Sequence, residues 1–177
     1  MVVEDCAKFL ESVIPVHEGV FRVSGQHSEA AAIKAAYDEH NPVNLELCRD
    51  PHTVASVLKM FLRELPEPLV PFELSRSISS SKGIKEKEIR YFKEQMPKSH
   101  KAVLKILLKL CSQTMEHKEV TKMESASLAT VFSPVLSWSK SHASSATAQD
   151  QLSEVQISGI ALKSIFDSIP AVLPLLE

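Results

Sequence analysis

Glycine is scarce in this chain of 177 residues, which has only four, at Gly19, Gly25, Gly83 and Gly159. That is too few for a protein built on β-hairpins and glycine-rich turns, so an all-α fold is expected. Cysteine is also rare. Cys6, Cys48 and Cys111 lie far apart and in no C-x-x-C arrangement, which favours free thiols, a reducing compartment and a cytoplasmic location. Long hydrophobic runs are missing: the richest stretch, Ala102 to Cys111, is broken by Lys105 and Lys109, well short of the roughly 18 residues that suggest a membrane span. The N-terminal M-V-V-E-D-C lacks the basic and apolar regions of a signal peptide. It opens inside a helical pattern, as expected of a domain taken from a longer chain. An excess of charge of one sign is absent too. Lys plus Arg number 20 against 22 acids, for a formal charge of −2, which argues against a nucleic-acid binder.

What is present is ordinary globular composition, 44% apolar and 24% charged. At about 150 residues per domain the chain is expected to be one domain, 1–177, able to bury about 70% of its unfolded surface. Apolar residues recur at helical spacing almost throughout. A first helix carries Cys6, Phe9, Leu10, Val13 and Ile14 and stops before Pro15; a second runs from Ser28 as N-cap to about His40. Asp50 followed by Pro51 is the clearest helix start, leading into the stripe Val54, Val57, Leu58, Phe61, Leu62 and Leu65. The prolines of P-E-P-L-V-P then stiffen a turn. A polar S-I-S-S-S-K-G stretch leads into a segment that turns Ile89, Phe92 and Met96 to the core. The longest helix spans about Ser99 to Glu116, and a shorter one from Ser125 to Phe132 breaks at Ser133-Pro134. Residues 137–149, rich in Ser and Ala, read as a mobile loop, before a penultimate helix from Leu152 to Ile169. The expected architecture is a bundle of eight or nine helices.

Motifs of self-contained catalysis are missing: no G-x-S-x-G, H-E-x-x-H, G-x-x-x-x-G-K-[ST] or G-x-G-x-x-G occurs. Cys48 and His52 are four apart, but no second pair completes a metal site, and none is expected. Three segments stand out instead. In E-G-V-F-R-V-S-G, Glu18 to Gly25, glycines bracket a tight excursion, Phe21 can anchor one side in the core, and Arg22 projects. On residue types alone, an ion pair between Arg22 and a neighbouring helix is the favoured explanation. In the second segment, Val57 to Pro68, Lys59 and Arg63 are four apart and share a helix face. They gain meaning if the Arg22 loop packs beside them. The third, Lys122 to Leu136, has alanines that permit close helix packing.

Taken in order, G-V-F-R-V-S-G, D-P-H-T-V-A-S-V-L-K-M-F-L-R-E-L-P-E-P-L and T-K-M-E-S-A-S-L-A-T-V-F-S-P-V-L resemble the GTPase-activating domain for Rho-family small GTPases, the RhoGAP domain. The resemblance implies an all-helical, monomeric domain with no active site and no cofactor of its own. It would dock on a GTP-loaded Rho-type GTPase and insert Arg22 into the partner's site, acting on partner-bound GTP and magnesium. A guanidinium in a fixed, water-poor geometry stabilises charge on the transferring phosphoryl group, which lysine does poorly. Lys59 matches a residue that contacts the GTPase and Arg63 one that braces the finger loop. Pro66 and Pro68 match the docking rim, where contact and chain geometry are equal readings. One departure matters: Val135 stands where the family commonly carries asparagine, removing a hydrogen bond worth about 0.5–1.5 kcal/mol net. Either activation weakens or another group, such as Ser133, substitutes, and the alternative function is a module that binds its GTPase or another signalling partner without accelerating hydrolysis. No amphipathic basic helix offers membrane attachment, so recruitment would come from the GTPase or from other domains of a longer chain.

Overall fold

The computed structural model describes residues 2–139 and 148–177, and every structural statement concerns those residues. The fold is all-α. Ten α-helices follow in order: α1 Val2–Val13, α2 His27–Asp38, α3 Pro51–Arg63, α4 Phe72–Ser81, α5 Glu86–Arg90, α6 Lys98–Glu116, α7 Lys118–Thr121, α8 Ser125–Leu136, α9 Ala148–Asp167 and α10 Ile169–Val172. The count exceeds the expected eight or nine because α5, α7 and α10 are one-turn pieces too short to leave a periodic signature.

Apolar stripes at spacings of three and four fix the packing. Val3, Cys6, Ala7 and Leu10 turn α1 onto α3 and α6, while Val54, Val57, Leu58 and Leu62 bury one side of α3. On the other side of the bundle α8 lies along α9, and α9 along α4. Leu128, Phe132, Val135 and Leu136 from α8 meet a core that includes Leu162, Ile165 and Phe166 from α9. All three cysteines are free and buried, and burial raises the Cys6 thiol to about 12, which makes it inert as a nucleophile at neutral pH.

Several elements depart from the sequence expectations. Pro15 sits in a 3₁₀ turn, Ile14–Val16, that continues α1. The second helix starts one residue before Ser28, and Gln26 is its N-cap without a side-chain cap. The serines of the polar S-I-S-S-S-K-G stretch, Ser77 to Ser81, form the second half of α4, buried through Ile78, with Ser81 Oγ donating back to the Ser77 carbonyl at 2.9 Å. Ile89 is exposed, unlike Phe92 and Met96, because a π-helical turn at Tyr91–Gln95 shifts the face that follows. Nor does α8 break at Pro134. Proline's missing N–H deprives only the Thr130 carbonyl, and the Ser133 hydroxyl donates to it at 3.4 Å. Of the expected loop at 137–149, residues 140–147 lie outside the described residues, and Ala148 already starts α9.

Candidate functional site

The segment between α1 and α2 carries Arg22. It enters with Gly19 at φ 68° and passes Phe21 at φ 74°, a left-handed conformation that is costly for an aromatic residue and persists only where surroundings hold it. They do: Phe21 is fully buried, and its ring lies against Phe132 of α8. The next side chain is forced the other way. Arg22 stands 45% exposed, held only by a 3.3 Å hydrogen bond from Nη1 to the Lys122 carbonyl and a 3.9 Å ion pair with Glu18.

Backbone hydrogen bonds close the loop on itself, with the amides of Arg22 and Val23 both donating to the Gly19 carbonyl at 2.9 Å. Its start is tied to the α7–α8 junction, where the Gly19 amide donates to the Thr121 carbonyl at 2.7 Å. Lys122, at φ 53°, turns the chain there and presents the carbonyl that receives Arg22.

Helix α3 supplies the rest of the support. Lys59 Nζ donates to the Phe21 carbonyl at 2.5 Å. Burial and then the neighbouring Arg63 charge lower its ammonium below the usual lysine range. The Gly25 amide donates to Ser56 Oγ at 3.2 Å and the Gln26 amide to Thr53 Oγ1 at 3.1 Å. Gly25 is required by contact rather than by φ: a Cβ there would lie 2.2 Å from the Thr53 backbone nitrogen.

The sequence-predicted residues therefore divide. Arg22 and Lys59 meet at one loop, and Lys59 holds that loop's backbone, the bracing role the resemblance gives to Arg63. Arg63 itself is exposed and makes no hydrogen bond or ion pair among the described residues. Pro66 is exposed and Pro68 buried; the turn they shape is pinned where the Val70 amide donates to the Leu136 carbonyl at 2.9 Å. Val135 is 1% exposed, a core residue of α8 rather than a surface contact. Ser133 is buried as well, its hydroxyl committed to Thr130.

Sequence reasoning passed over Thr53 and Ser56, although T-x-x-S-x-x-K on α3 is a polar stripe at helical spacing. It also passed over a groove of about 430 Å³ beside the proline turn, lined by Pro68, Phe72, Tyr91, His100 and Trp138. Burial, then the nearby Glu67 carboxylate, raises the Tyr91 phenol above its ordinary value. Trp138 is positioned by the residue before it, since Ser137 Oγ pairs with Ser75 Oγ at 2.7 Å and the Ser137 carbonyl accepts from Ser158 Oγ at 3.3 Å. Among the described residues no group of three or more His, Cys, Asp or Glu side chains converges to hold a metal, and no single helix is long and apolar enough to cross a membrane.

Two solved structures share this fold. Human Rho GTPase activating protein 15 superposes with a TM-score of 0.81 over 97% of this chain and 82% of its own, at 24% identity. The BH domain of GRAF, the GTPase regulator associated with focal adhesion kinase, gives 0.77 over 98% and 93%, at 19% identity. In sequence, the chain is 35% identical over 158 residues to the Rho GTPase-activating protein gacY of Dictyostelium discoideum, covering 86% of this chain and 21% of that protein. It is 35% identical over 144 residues to Rho GTPase-activating protein 44 of Mus musculus, covering 78% and 18%. The chain thus spans about a fifth of the length of these relatives. Residues 1–141 match the family model for the RhoGAP domain, and with the Arg22 loop, the α3 face and the α7–α8 junction drawn from that matched stretch, the chain belongs to the RhoGAP domain family.

Proposed function

We propose that this domain accelerates GTP hydrolysis by a Rho-family small GTPase in its GTP-bound state, with Arg22 inserted into the partner's active site. One observation carries the reading. Arg22 sits on a loop whose backbone is hydrogen-bonded to α3 and α7 and whose Phe21 ring lies against α8, yet its guanidinium is half exposed and held by two long contacts. Such a side chain leaves its resting partners at small cost, since an exposed ion pair is worth about 0–1 kcal/mol. The fixed backbone meanwhile limits where it can go. Preorganised positive charge aimed at developing phosphoryl charge is the catalytic contribution, worth about 10³ to 10⁵ in rate when an arginine is supplied in trans.

The domain is an accessory to the partner's chemistry rather than an enzyme. GTP and magnesium belong to the GTPase, and the attacking water is positioned there. Lys59 fixes the finger, while Arg63, free of internal partners and fully presented, suits an acidic or carbonyl-rich patch on the GTPase. Pro66, Pro68 and the groove ending at Trp138 extend the docking face beyond the end of α3. A monomer working in the cytoplasm, brought to membranes by its partner or by other domains of a longer chain, completes the reading.

A second reading, binding without acceleration, is favoured by Val135. An apolar residue sits in the core where the family commonly has an amide, so whatever that amide does for the finger is undone here. Single-turnover GTP hydrolysis across a panel of Rho-family GTPases, with the domain and its Arg22→Ala variant, separates the two. Acceleration lost in the variant supports the activator; binding without acceleration by the unmodified domain leaves the binding module.

A further inference from the structure

Two hydroxyls on the first turns of α3 clamp the C-terminal end of the Arg22 loop, and we propose that Thr53 and Ser56 are positioning residues for the arginine finger. The inference rests on the activator reading for its kinetic consequence, but the clamp itself does not.

Each hydroxyl has one proton and spends it on a fixed acceptor. Thr53 Oγ1 donates to Asp50 Oδ2 at 3.2 Å, and Ser56 Oγ donates to the His52 carbonyl at 2.8 Å. That leaves only lone pairs facing the loop, and each accepts one loop amide, from Gln26 and Gly25 respectively. The helix start does not need these loop bonds, because Asp50 already caps it by accepting the His52 amide at 3.0 Å. Their role is directed outward. Thr53 is fully buried beneath the loop, and the close seating of Gly25 on the α3 backbone makes the contact one of backbone against backbone.

Arg22 lies three residues before Gly25, a tether of at most about 10 Å when fully extended. Loss of the clamp frees the descending side of the loop while Lys59 still holds Phe21 and Phe21 stays in the core. The fold survives and the finger loses its aim. Reaction geometry is sensitive at this scale, since a displacement of about 1 Å can cost about 100-fold in rate. A positioning role therefore separates from a docking role: the saturating rate falls while the concentration of domain needed for half-saturation holds.

The test uses Thr53→Val, Ser56→Ala and the conservative Thr53→Ser in the intact domain, with folding checked by circular dichroism. Two measurements are made, amide hydrogen exchange in the free domain and single-turnover GTP hydrolysis by a Rho-family GTPase against domain concentration. The expected result is faster exchange at Gln26 in Thr53→Val and at Gly25 in Ser56→Ala. A saturating rate lowered by about 10-fold or more with half-saturation shifted by less than about 3-fold should accompany it, and Thr53→Ser should restore both. Faster exchange with an unchanged saturating rate overturns the positioning role. Unchanged exchange in both variants overturns the clamp whatever the activity. Should the unmodified domain accelerate no GTPase, the activator reading fails separately; lost protection that spreads from Gly25 and Gln26 to Arg22 then still supports the clamp, and protection lost nowhere sinks it.

Discussion

The ring of Phe21 lies 5.2 Å from that of Phe132, tilted by 55°, so the exposed loop is fastened to the centre of the core one residue before Arg22. Phe132 in turn meets Phe166 of α9 edge-on at 6.3 Å. Phe132→Ala should therefore do two things at once. The cavity should cost about 3–5 kcal/mol of stability, read as a lower urea midpoint, and the loss of acceleration should exceed any loss of affinity for the GTPase because the seat of Phe21 is gone.

Keeping the charge at position 22 is not sufficient. Arg22→Lys retains a cation but loses the planar fork that can address two oxygens at once. Its acceleration of single-turnover hydrolysis should fall by about 10³ or more, with stability unchanged, since the wild-type contacts of Arg22 are long and exposed.

A methyl group at position 25 has nowhere to go. In Gly25→Ala the Cβ would meet the backbone of Thr53 at 2.2 Å, where no side chain can swing aside, so α3 and the loop must separate. We expect a loss of about 1–3 kcal/mol, the usual range for overpacking, with a lower melting temperature and faster amide exchange at Gln26.

Restoring the family asparagine is not a simple repair. Val135→Asn places an amide where the valine is 1% exposed in an apolar cluster, at a cost of about 1–3 kcal/mol on mutational scales. Thermal denaturation should show the variant less stable than wild type. A variant as stable as wild type would mean that the amide finds partners after α8 has turned.

Glu88 should make the fold acid-sensitive. It is 2% exposed and accepts from Ser77 Oγ at 2.5 Å and from the Lys85 amide at 2.9 Å. Burial alone raises its carboxyl, but these hydrogen bonds and the Lys87 charge outweigh it, leaving it below the ordinary 4.5. A depressed folded value means stability that is present above about 4.5 and lost as pH falls through the lower, folded value. Glu88→Gln should lose about 1.5–3 kcal/mol at pH 7 and show a flatter stability profile between pH 5 and 3 in denaturant titrations at stepped pH.

Much of this was legible in the residues. Stripes such as Val54, Val57, Leu58 and Leu62 report a buried face directly, and Asp50-Pro51 marks a helix start by chemistry that does not depend on neighbours. The G-V-F-R-V-S-G segment identified Phe21 as anchor and Arg22 as projection. What stayed hidden depended on partners distant in the chain. Lys59 rather than Arg63 holds the loop because the Phe21 carbonyl, 38 residues away, comes within its reach. The serines of α4 look like a linker until Ser77 is placed against Glu88, 11 residues on. Pro134 stops no helix because Ser133 answers the carbonyl that the proline leaves open, a local substitution with no signal in hydrophobic periodicity.

Thr53, Ser56 and Lys59 fall at successive threes along α3, and the loop residues they hold run the opposite way, from Gln26 to Gly25 to Phe21. The loop is thereby measured against the pitch of a helix. One residue inserted between Thr53 and Lys59 would rotate everything beyond it by about 100° and carry the lysine off the loop altogether. The spacing of these three side chains, and with it the length of this stretch of chain, is set by the loop it holds.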